Sequence, residues 1–122
     1  MQIETIQENG VNIAVITGEG KLVTDAASAL ELALSARYEA GADRIAVDKK
    51  VIAEDFFILS TGMAGEILQK FINYHIKAAA WGDYSRYTSK PLRDFIYESN
   101  RGRDFFFVET KEEAIRKLAE AQ

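Results

Sequence analysis

Short apolar runs alternate with amphipathic helical patterns, and this alternation constrains the fold of the chain more than any other feature. It follows an opening hairpin, in which apolar segments at residues 3–6 and 11–16 flank Asn9-Gly10, a dipeptide suited to a tight turn. Later runs of strand length occupy residues 44–47, Lys77–Trp81 and 104–108. Strands that alternate with helices form parallel sheets with right-handed crossovers. The sequence therefore predicts an α/β fold of order β-β-α-β-α-β-α-β-α, with a mostly parallel five-stranded sheet.

Segments with the helical period lie between and after these runs, and they predict four helices. Their predicted ranges are residues 25–40, 62–75, 89–99 and a final helix after Thr110, which opens a capping-box pattern ending at Glu113. In the first helix, one face carries Ala27, Leu30, Leu34 and Tyr38. In the second helix, the predicted inward stripe consists of Met63, Ala64, Ile67, Leu68, Phe71 and His75.

Composition places residues 1–122 in a single α/β domain. Hydrophobic residues make up 48% and charged residues 28%, and 15 Lys+Arg against 19 Asp+Glu give a net charge of −4. That charge gives no general attraction to nucleic acid or anionic membrane, and no apolar run reaches the ~20 residues of a membrane span. With no cysteine and one histidine, the chain lacks the usual ligands of a zinc site. We therefore expect a cytoplasmic protein with no metal, no cofactor, no nucleic-acid partner and no membrane partner.

Ligands of open parallel sheets bind beyond the carboxyl ends of the strands, and three connections leave those ends. They are residues 48–62, 82–90 and 109–110. The first is long for such a connection, and long ordered loops tend to be functional. It carries Lys49, Glu54, Asp55 and Phe57. We expect the binding site to lie on the first two connections.

Carboxylates on these two connections have two interpretations. Glu54, Asp55 and Asp83 would support acid–base chemistry or a magnesium site if the fold brought them together. Alternatively, Asp83 makes a turn hydrogen bond with Gly82, and Glu54 and Asp55 are solvated or pair with Lys49 or Lys50. The spacing of these carboxylates matches no known metal-binding loop.

Hydroxyl groups at the start of the long helix are a second candidate. Ser60 and Thr61 would hold an anion or accept a phosphoryl group at a helix N-terminus, or Thr61 would simply be the N-cap.

Other candidates lie further along the chain. Glu66, Gln69 and Lys70 form a polar helix face that would dock a protein partner, or else a solvated face with a Glu66–Lys70 pair. Aromatic, basic and hydroxyl side chains also interleave after the fourth strand, where they would contact a phosphate or cover the sheet edge: Tyr84, Ser85, Arg86, Tyr87 and Lys90.

Several of these motifs resemble a known family. The segments Glu54-Asp55-Phe56-Phe57, Ala64 to Phe71, Asn73-Tyr74, Gly82-Asp83, Ser89-Lys90 and Asp94 to Glu98 look like the signature of the bacterial domain of unknown function 4180. The resemblance extends over nearly the whole chain. It implies a bacterial, single-domain protein and implies no activity.

A second resemblance is to the STAS and SpoIIAA-like domains, the anti-sigma-factor antagonist class. It is carried by the opening hairpin, the alternating tail and the position of Ser60-Thr61-Gly62-Met63, because in those domains a phosphorylated hydroxyl opens the helix after a strand. Ile58-Leu59 replace the acidic residue that usually precedes the hydroxyls. This resemblance implies a regulatory module with a phosphorylated Ser60 or Thr61.

The leading hypothesis is a non-enzymatic binding or regulatory module of STAS-like type, with no assigned catalytic residue. It would act through the connections after the third and fourth strands on a protein partner or a small anionic ligand. One alternative is a small enzyme or ligand-binding domain that uses Lys49, Glu54, Asp55 and Asp83. Another is a self-associating domain, a homodimer joined through an apolar patch of Phe56, Phe57 and Trp81.

Overall fold

The computed structural model describes all 122 residues and contains every predicted strand and helix. The strands are β1 (Gln2–Glu8), β2 (Val11–Thr17), β3 (Arg44–Asp48), β4 (Lys77–Trp81) and β5 (Phe105–Val108). The helices are α1 (Ala26–Ala40), α2 (Met63–Asn73), α3 (Lys90–Arg101) and α4 (Lys111–Glu120). Their order along the chain confirms the predicted α/β alternation after an N-terminal hairpin.

The five strands form one sheet in the order β1-β2-β3-β4-β5. β1 is antiparallel to β2, and the remaining neighbours are parallel. At the hairpin, Asn9 has φ 51° and Gly10 has φ 78°. Both values lie in the left-handed region that a tight two-residue hairpin turn requires, so the Asn-Gly signal identified the turn correctly.

The helices divide unequally between the two faces of the sheet. A right-handed crossover between adjacent parallel strands always puts its helix on the same face, so sequential strands collect α1, α2 and α3 together. Ile45, Val47 and Phe105 face these three helices in the larger core. On the other face, Ala46 and Phe106 contact α4, which follows the last strand and crosses to that side.

Helix α1 faces the core with four alanines and Leu32 rather than with Leu34 and Tyr38. Leu34 and Tyr38 are 37% and 91% exposed, so their face is not the buried one. The buried residues are Ala26, Ala29, Leu32, Ala33 and Ala36. Small side chains let the helix approach the sheet and α2 closely. The Asp25 carboxylate begins the helix by accepting from the Ser28 N–H at 2.7 Å.

Helix α2 differs from its prediction at both ends. It begins at Met63, because Gly62 at φ 77° closes the preceding turn. It ends at Asn73, and His75 follows in the left-handed region at φ 58° with its side chain exposed. The inward stripe therefore ends at Phe71, and the prediction that His75 belongs to it was wrong.

The carboxyl-terminal part follows the predicted pattern. All four residues of β5 are buried, as expected of a strand covered on both faces. Leu92 is the buried contact of α3, and α4 buries Ala114, Ile115, Leu118 and Ala119. None of the helices combines the length and the apolar character that a membrane-spanning helix requires.

The connection from β3 to α2 is an ordered part of the core rather than an irregular loop. It folds into three 3₁₀ turns, Lys49–Val51, Glu54–Phe57 and Leu59–Thr61, which we call the 3₁₀ segment. Phe56 and Phe57 are only 1% and 4% exposed within it. The prediction that these two rings form a surface patch for self-association was therefore wrong, because they complete the core beneath the carboxyl ends of the strands.

Candidate functional site

A cleft of about 520 Å³ opens at the carboxyl ends of β3 and β4. Its charged lining comes from the connections after β2, β3 and β4. The cations are Lys21, Lys49, Lys50 and Arg86, and the anions are Asp48, Glu54 and Asp83. Four cations against three anions give this lining a net charge of +1, whereas the whole chain carries −4. The cleft lining is thus net positive on a chain that is net negative.

Lys49 is the most enclosed of these cations. Its Nζ lies 5.0 Å from the Phe57 ring centroid, 5.9 Å from that of Tyr84 and 4.8 Å from that of Tyr87. The side chain is 13% exposed. Three ring faces within about 6 Å stabilise an ammonium by cation–π attraction, which grows as water is removed. The ammonium is therefore held in place by an aromatic cage.

Gly82 at the end of β4 makes room for the Lys49 side chain. A β-carbon at this position would lie 2.7 Å from the Lys49 Cβ and 3.0 Å from its Cδ. Carbon atoms do not approach so closely without displacement, so a larger residue would push Lys49 out of the aromatic cage. The glycine is required here for close approach.

The Glu54 carboxylate is the point where the charged network converges. The Tyr87 hydroxyl donates to its Oε2 at 2.9 Å, the Arg86 guanidinium pairs with its Oε1, and the Lys49 Nζ lies 3.8 Å from Oε1. Partial burial by itself raises the pKa of this carboxyl. The Tyr87 hydrogen bond and the charges of Lys49, Arg86 and Lys21 outweigh burial and hold the pKa below its ordinary value.

Asp83 and Asp48 each use one oxygen to fix a turn. Asp83 Oδ1 accepts from the Ser85 N–H at 2.8 Å, and Asp48 Oδ1 accepts from the Lys50 N–H at 3.0 Å. The Ser85 hydrogen bonds, helped by the charges of Lys49 and Arg86, lower the pKa of Asp83. Asp83 is thus a turn residue, as the alternative interpretation expected, although its partner is Ser85 rather than Gly82.

Tyrosine rings close the aromatic side of the site. The Tyr87 ring stacks on Phe57 with centroids 5.0 Å apart and planes 20° apart. Tyr84 donates its hydroxyl to the Ala80 carbonyl at 2.7 Å, and burial raises the pKa of this phenol well above its usual range. Tyr84 is thus a neutral structural residue, whereas the Tyr87 hydroxyl points to the charged network.

The structure brings together five of the residues that the sequence proposed for the site: Lys49, Glu54, Phe57, Asp83 and Tyr87. Ser85 takes part through the hydrogen bonds that it makes to Asp83. Asp55 and Lys90 lie outside the cleft lining, and Lys90 pairs with Asp94 at 2.6 Å.

Ser60 and Thr61 lie at the far end of the 3₁₀ segment and do not line the cleft. The Thr61 hydroxyl donates toward the Asp55 and Ile58 carbonyls at 2.8 and 2.9 Å, and accepts from the Met63 N–H at 3.2 Å. Gly62, not Thr61, occupies the N-cap position of α2. The prediction that Thr61 caps the helix directly was therefore wrong, although its oxygen does satisfy one N–H of the first turn.

Glu66, Gln69 and Lys70 lie on the exposed face of α2, away from the cleft. The predicted Glu66–Lys70 ion pair does not form. Instead, Gln69 Nε2 donates to Asn73 Oδ1 at 2.9 Å.

Sequence reasoning missed Lys21, which enters the cleft from the connection after β2. Its Nζ donates to the Lys50 carbonyl at 2.9 Å. A signal was available, because β2 is parallel to β3 and its carboxyl end meets the same edge. Arg86 and Gly82 belonged to a recognised connection, but their contacts with Glu54 and Lys49 depend on tertiary packing.

The chemical capacity of the cleft is to bind charge. No group of three histidine, cysteine or acidic side chains comes together as a metal site would require. Glu54 and Asp83 both have lowered pKa values and stay ionised at neutral pH. They are therefore acceptors and counter-charges, and neither is a proton donor.

The fold and this cleft define an α/β domain with a mixed-charge cleft at the carboxyl ends of parallel strands. The chain belongs to the domain of unknown function family DUF4180, whose profile matches residues 8–118. Comparison with curated proteins and with solved structures finds no match. The resemblance to STAS and SpoIIAA-like domains therefore stays a prediction.

Proposed function

We propose that this protein is a non-enzymatic binding module that holds a small ligand with an anionic group in the cleft beside β3 and β4. The observation that carries the proposal is the concentration of four cations around one concave surface of a chain with net charge −4. Clefts lined by one excess sign attract ligands of the opposite sign.

Accessible cations support this assignment. Lys21 and Lys50 are exposed at the rim, and the Arg86 side chain is 62% exposed. Guanidinium and ammonium groups make charge-assisted hydrogen bonds with carboxylates and phosphates. Lys49 lies behind them and supplies a fixed positive charge. An anionic group entering the cleft would thus meet exposed cations first and an enclosed one behind them.

The titration behaviour of the cleft favours binding over catalysis. A general acid or base works best when its pKa lies near the working pH. The lowered pKa values of Glu54 and Asp83 move both groups away from neutrality, and the raised pKa of Tyr84 moves it away in the other direction. The small-enzyme alternative has two carboxylates at one cleft but no poised proton carrier among them.

An NMR titration tests the proposal. The ¹⁵N-labelled protein is titrated with acetate, succinate and inorganic phosphate at constant ionic strength. We expect saturable shifts of the Lys50, Gly82 and Asp83 amides and none at Gln69 or Lys70. Cleft amides that do not move with any of these anions would remove the basis of the proposal.

Matched charge variants sharpen the titration. Arg86→Gln removes a cation of the cleft, whereas Lys70→Gln removes one from the outer face of α2. We expect Arg86→Gln to weaken anion binding about ten- to hundredfold, because a hydrogen bond to a charged group contributes about 1.5–3 kcal/mol. Lys70→Gln leaves affinity unchanged. Equal losses in the two variants would mean that only net charge matters.

A second candidate function is regulation through Thr61. The hydroxyl is exposed and joins the Asp55 and Ile58 carbonyls to the start of α2. A phosphoryl group would remove the hydroxyl proton and these donor bonds, and would loosen the segment that carries Glu54. Ser60, for which no such bonds are present, provides the matched position.

Hydrogen exchange tests this second candidate. We expect Thr61→Glu to speed amide exchange at residues 56–62 and to change anion affinity in the cleft. Ser60→Glu should do neither. If Thr61→Glu exchanges like the wild type, phosphorylation there has no structural route to the cleft.

We also place the protein in the cytoplasm, which its cysteine-free composition supports.

A further inference from the structure

We propose that the anionic group of the ligand is a carboxylate, and that it binds by taking the place of the Glu54 carboxylate. This inference rests on the proposed function, because it names the chemical group that the same cleft accepts. Glu54 is, in this view, a tethered occupant of the binding site. Binding would exchange an internal carboxylate for an external one.

The donors around Glu54 match a planar group with two oxygens. The Tyr87 hydroxyl donates to Oε2 at 2.9 Å, while the Arg86 guanidinium and the Lys49 ammonium both face Oε1. One neutral donor and two cations therefore divide between the two oxygens. Any carboxylate that reached this point would find the same three donors.

Those donors are positioned by contacts that do not involve Glu54. Lys49 is held by the aromatic cage and by the close packing of its side chain against Gly82. The Tyr87 ring stacks on buried Phe57 at 5.0 Å. The Arg86 guanidinium lies 5.2 Å from the Tyr87 ring centroid, and Nη2 is 3.3 Å from the Tyr87 hydroxyl. The site therefore persists as a preformed set of donors when Glu54 leaves it.

Glu54 itself is replaceable. Its side chain is 47% exposed, and it begins a single 3₁₀ turn that has no side-chain cap. Ion pairs between partly exposed side chains hold weakly, because water competes for both partners. The carboxylate can therefore swing outward without disturbing Phe56 and Phe57, which anchor the rest of the turn in the core.

Neighbouring acids favour a carboxylate over a phosphate. Asp48 and Asp83 line the same cleft, and each keeps an oxygen free of its turn hydrogen bond. A monoanion that replaces Glu54 leaves the local charge unchanged. A phosphate dianion would add a negative charge beside two aspartates, which like-charge repulsion opposes.

Chemical rescue by acetate tests the exchange. Glu54→Ala removes the tethered carboxylate and leaves its three donors without their acceptor. We expect 100 mM sodium acetate to raise the Tm of this variant by about 3 °C relative to sodium chloride of equal ionic strength, as a ligand bound only by the folded state would. The wild type and Glu54→Gln, in which a side chain fills the same space, should shift by less than about 1 °C.

The donors and the anion are then varied. The double variant Glu54→Ala/Arg86→Gln, which also lacks the Arg86 cation, should show no rise in Tm with acetate. In Glu54→Ala, phosphate should raise the Tm less than acetate does. Equal acetate shifts in all variants, or a larger phosphate shift, would overturn the inference. If phosphate moves the cleft amides of the wild type while acetate fails to rescue Glu54→Ala, the proposed function stands and the carboxylate inference falls. If neither anion has any effect, both fall.

Discussion

Two regions of this protein look alike in sequence and behave differently in the structure: the cleft and the outer face of α2. Both are rich in charged side chains. On α2, Glu66 and Lys70 have the favourable i,i+4 spacing and yet form no ion pair. In the cleft, Glu54 is contacted by three donors from two separate connections.

The difference lies in how many chain segments contribute. Side chains on one helix face splay into water, where an ion pair contributes between about 0 and 1 kcal/mol. Side chains from the connections after β2, β3 and β4 point into one space, where aromatic rings exclude water from Lys49. Convergence of segments, rather than density of charge along the sequence, distinguishes this cleft from a solvated surface.

Glycine substitutions give the largest expected difference in stability between the two regions. Gly82→Ala places a β-carbon 2.7 Å from the Lys49 Cβ, so the lysine or the strand end must move. We expect a loss of about 1–3 kcal/mol in the free energy of unfolding, because overpacking adds to the strain of an L residue at φ 157°. Urea denaturation followed by circular dichroism measures it.

Gly65→Ala is the matched control on α2. A β-carbon at Gly65 meets nothing within 4 Å, and alanine is the better helix former. This variant should gain about 0.5–1 kcal/mol. The clearance argument for Gly82 would be wrong if both alanine variants were stabilised.

Lysine substitutions give the next contrast. Lys49→Met keeps the aliphatic stem within the aromatic cage but removes the ammonium from three rings and from Glu54. We expect a loss of about 1–2 kcal/mol, in the range of a desolvated cation–π contact. Lys70→Met on α2 should change stability by no more than about 0.5 kcal/mol. Thermal unfolding of the two variants side by side decides whether the cage stabilises the fold.

Features that depend on residues close together in the sequence were predicted, and features that depend on tertiary contacts were not. The Asn9-Gly10 turn and the apolar residues of β5 are local signals, and they predicted the hairpin and the order of elements. The buried face of α1 was not predictable in this way, because the helix has both an alanine stripe and a larger apolar stripe. Close packing selected the alanines, and Tyr38 is 91% exposed.

The candidate site shows the same division. Lys49, Glu54 and Asp83 were predictable because they follow strands that end at one edge of the sheet. The ring cage around Lys49 and the pairing of Arg86 with Glu54 depend on how the connection after β4 packs against the 3₁₀ segment. Periodicity along the chain carries no information about that packing.

The smallest expected effect is a pH dependence of stability that comes from Glu54. The folded-state pKa of Glu54 is lowered, so the unfolded state takes up its proton first as the pH falls. The resulting stability is complete at neutral pH and is lost as the pH drops below about 4.5 and through the folded pKa.

Comparing Glu54→Gln with the wild type between pH 7 and pH 3 measures this contribution. At pH 7 the variant should be less stable by up to about 1 kcal/mol, because the carboxylate is half exposed and its ion pairs are screened. Near pH 3 the two proteins should converge. At pH 7, Glu66→Gln should differ from the wild type by no more than about 0.5 kcal/mol, since no ion pair holds Glu66. A gap that persisted unchanged to pH 3 would show that the glutamine perturbs packing, and that the charged network around Glu54 contributes no stability.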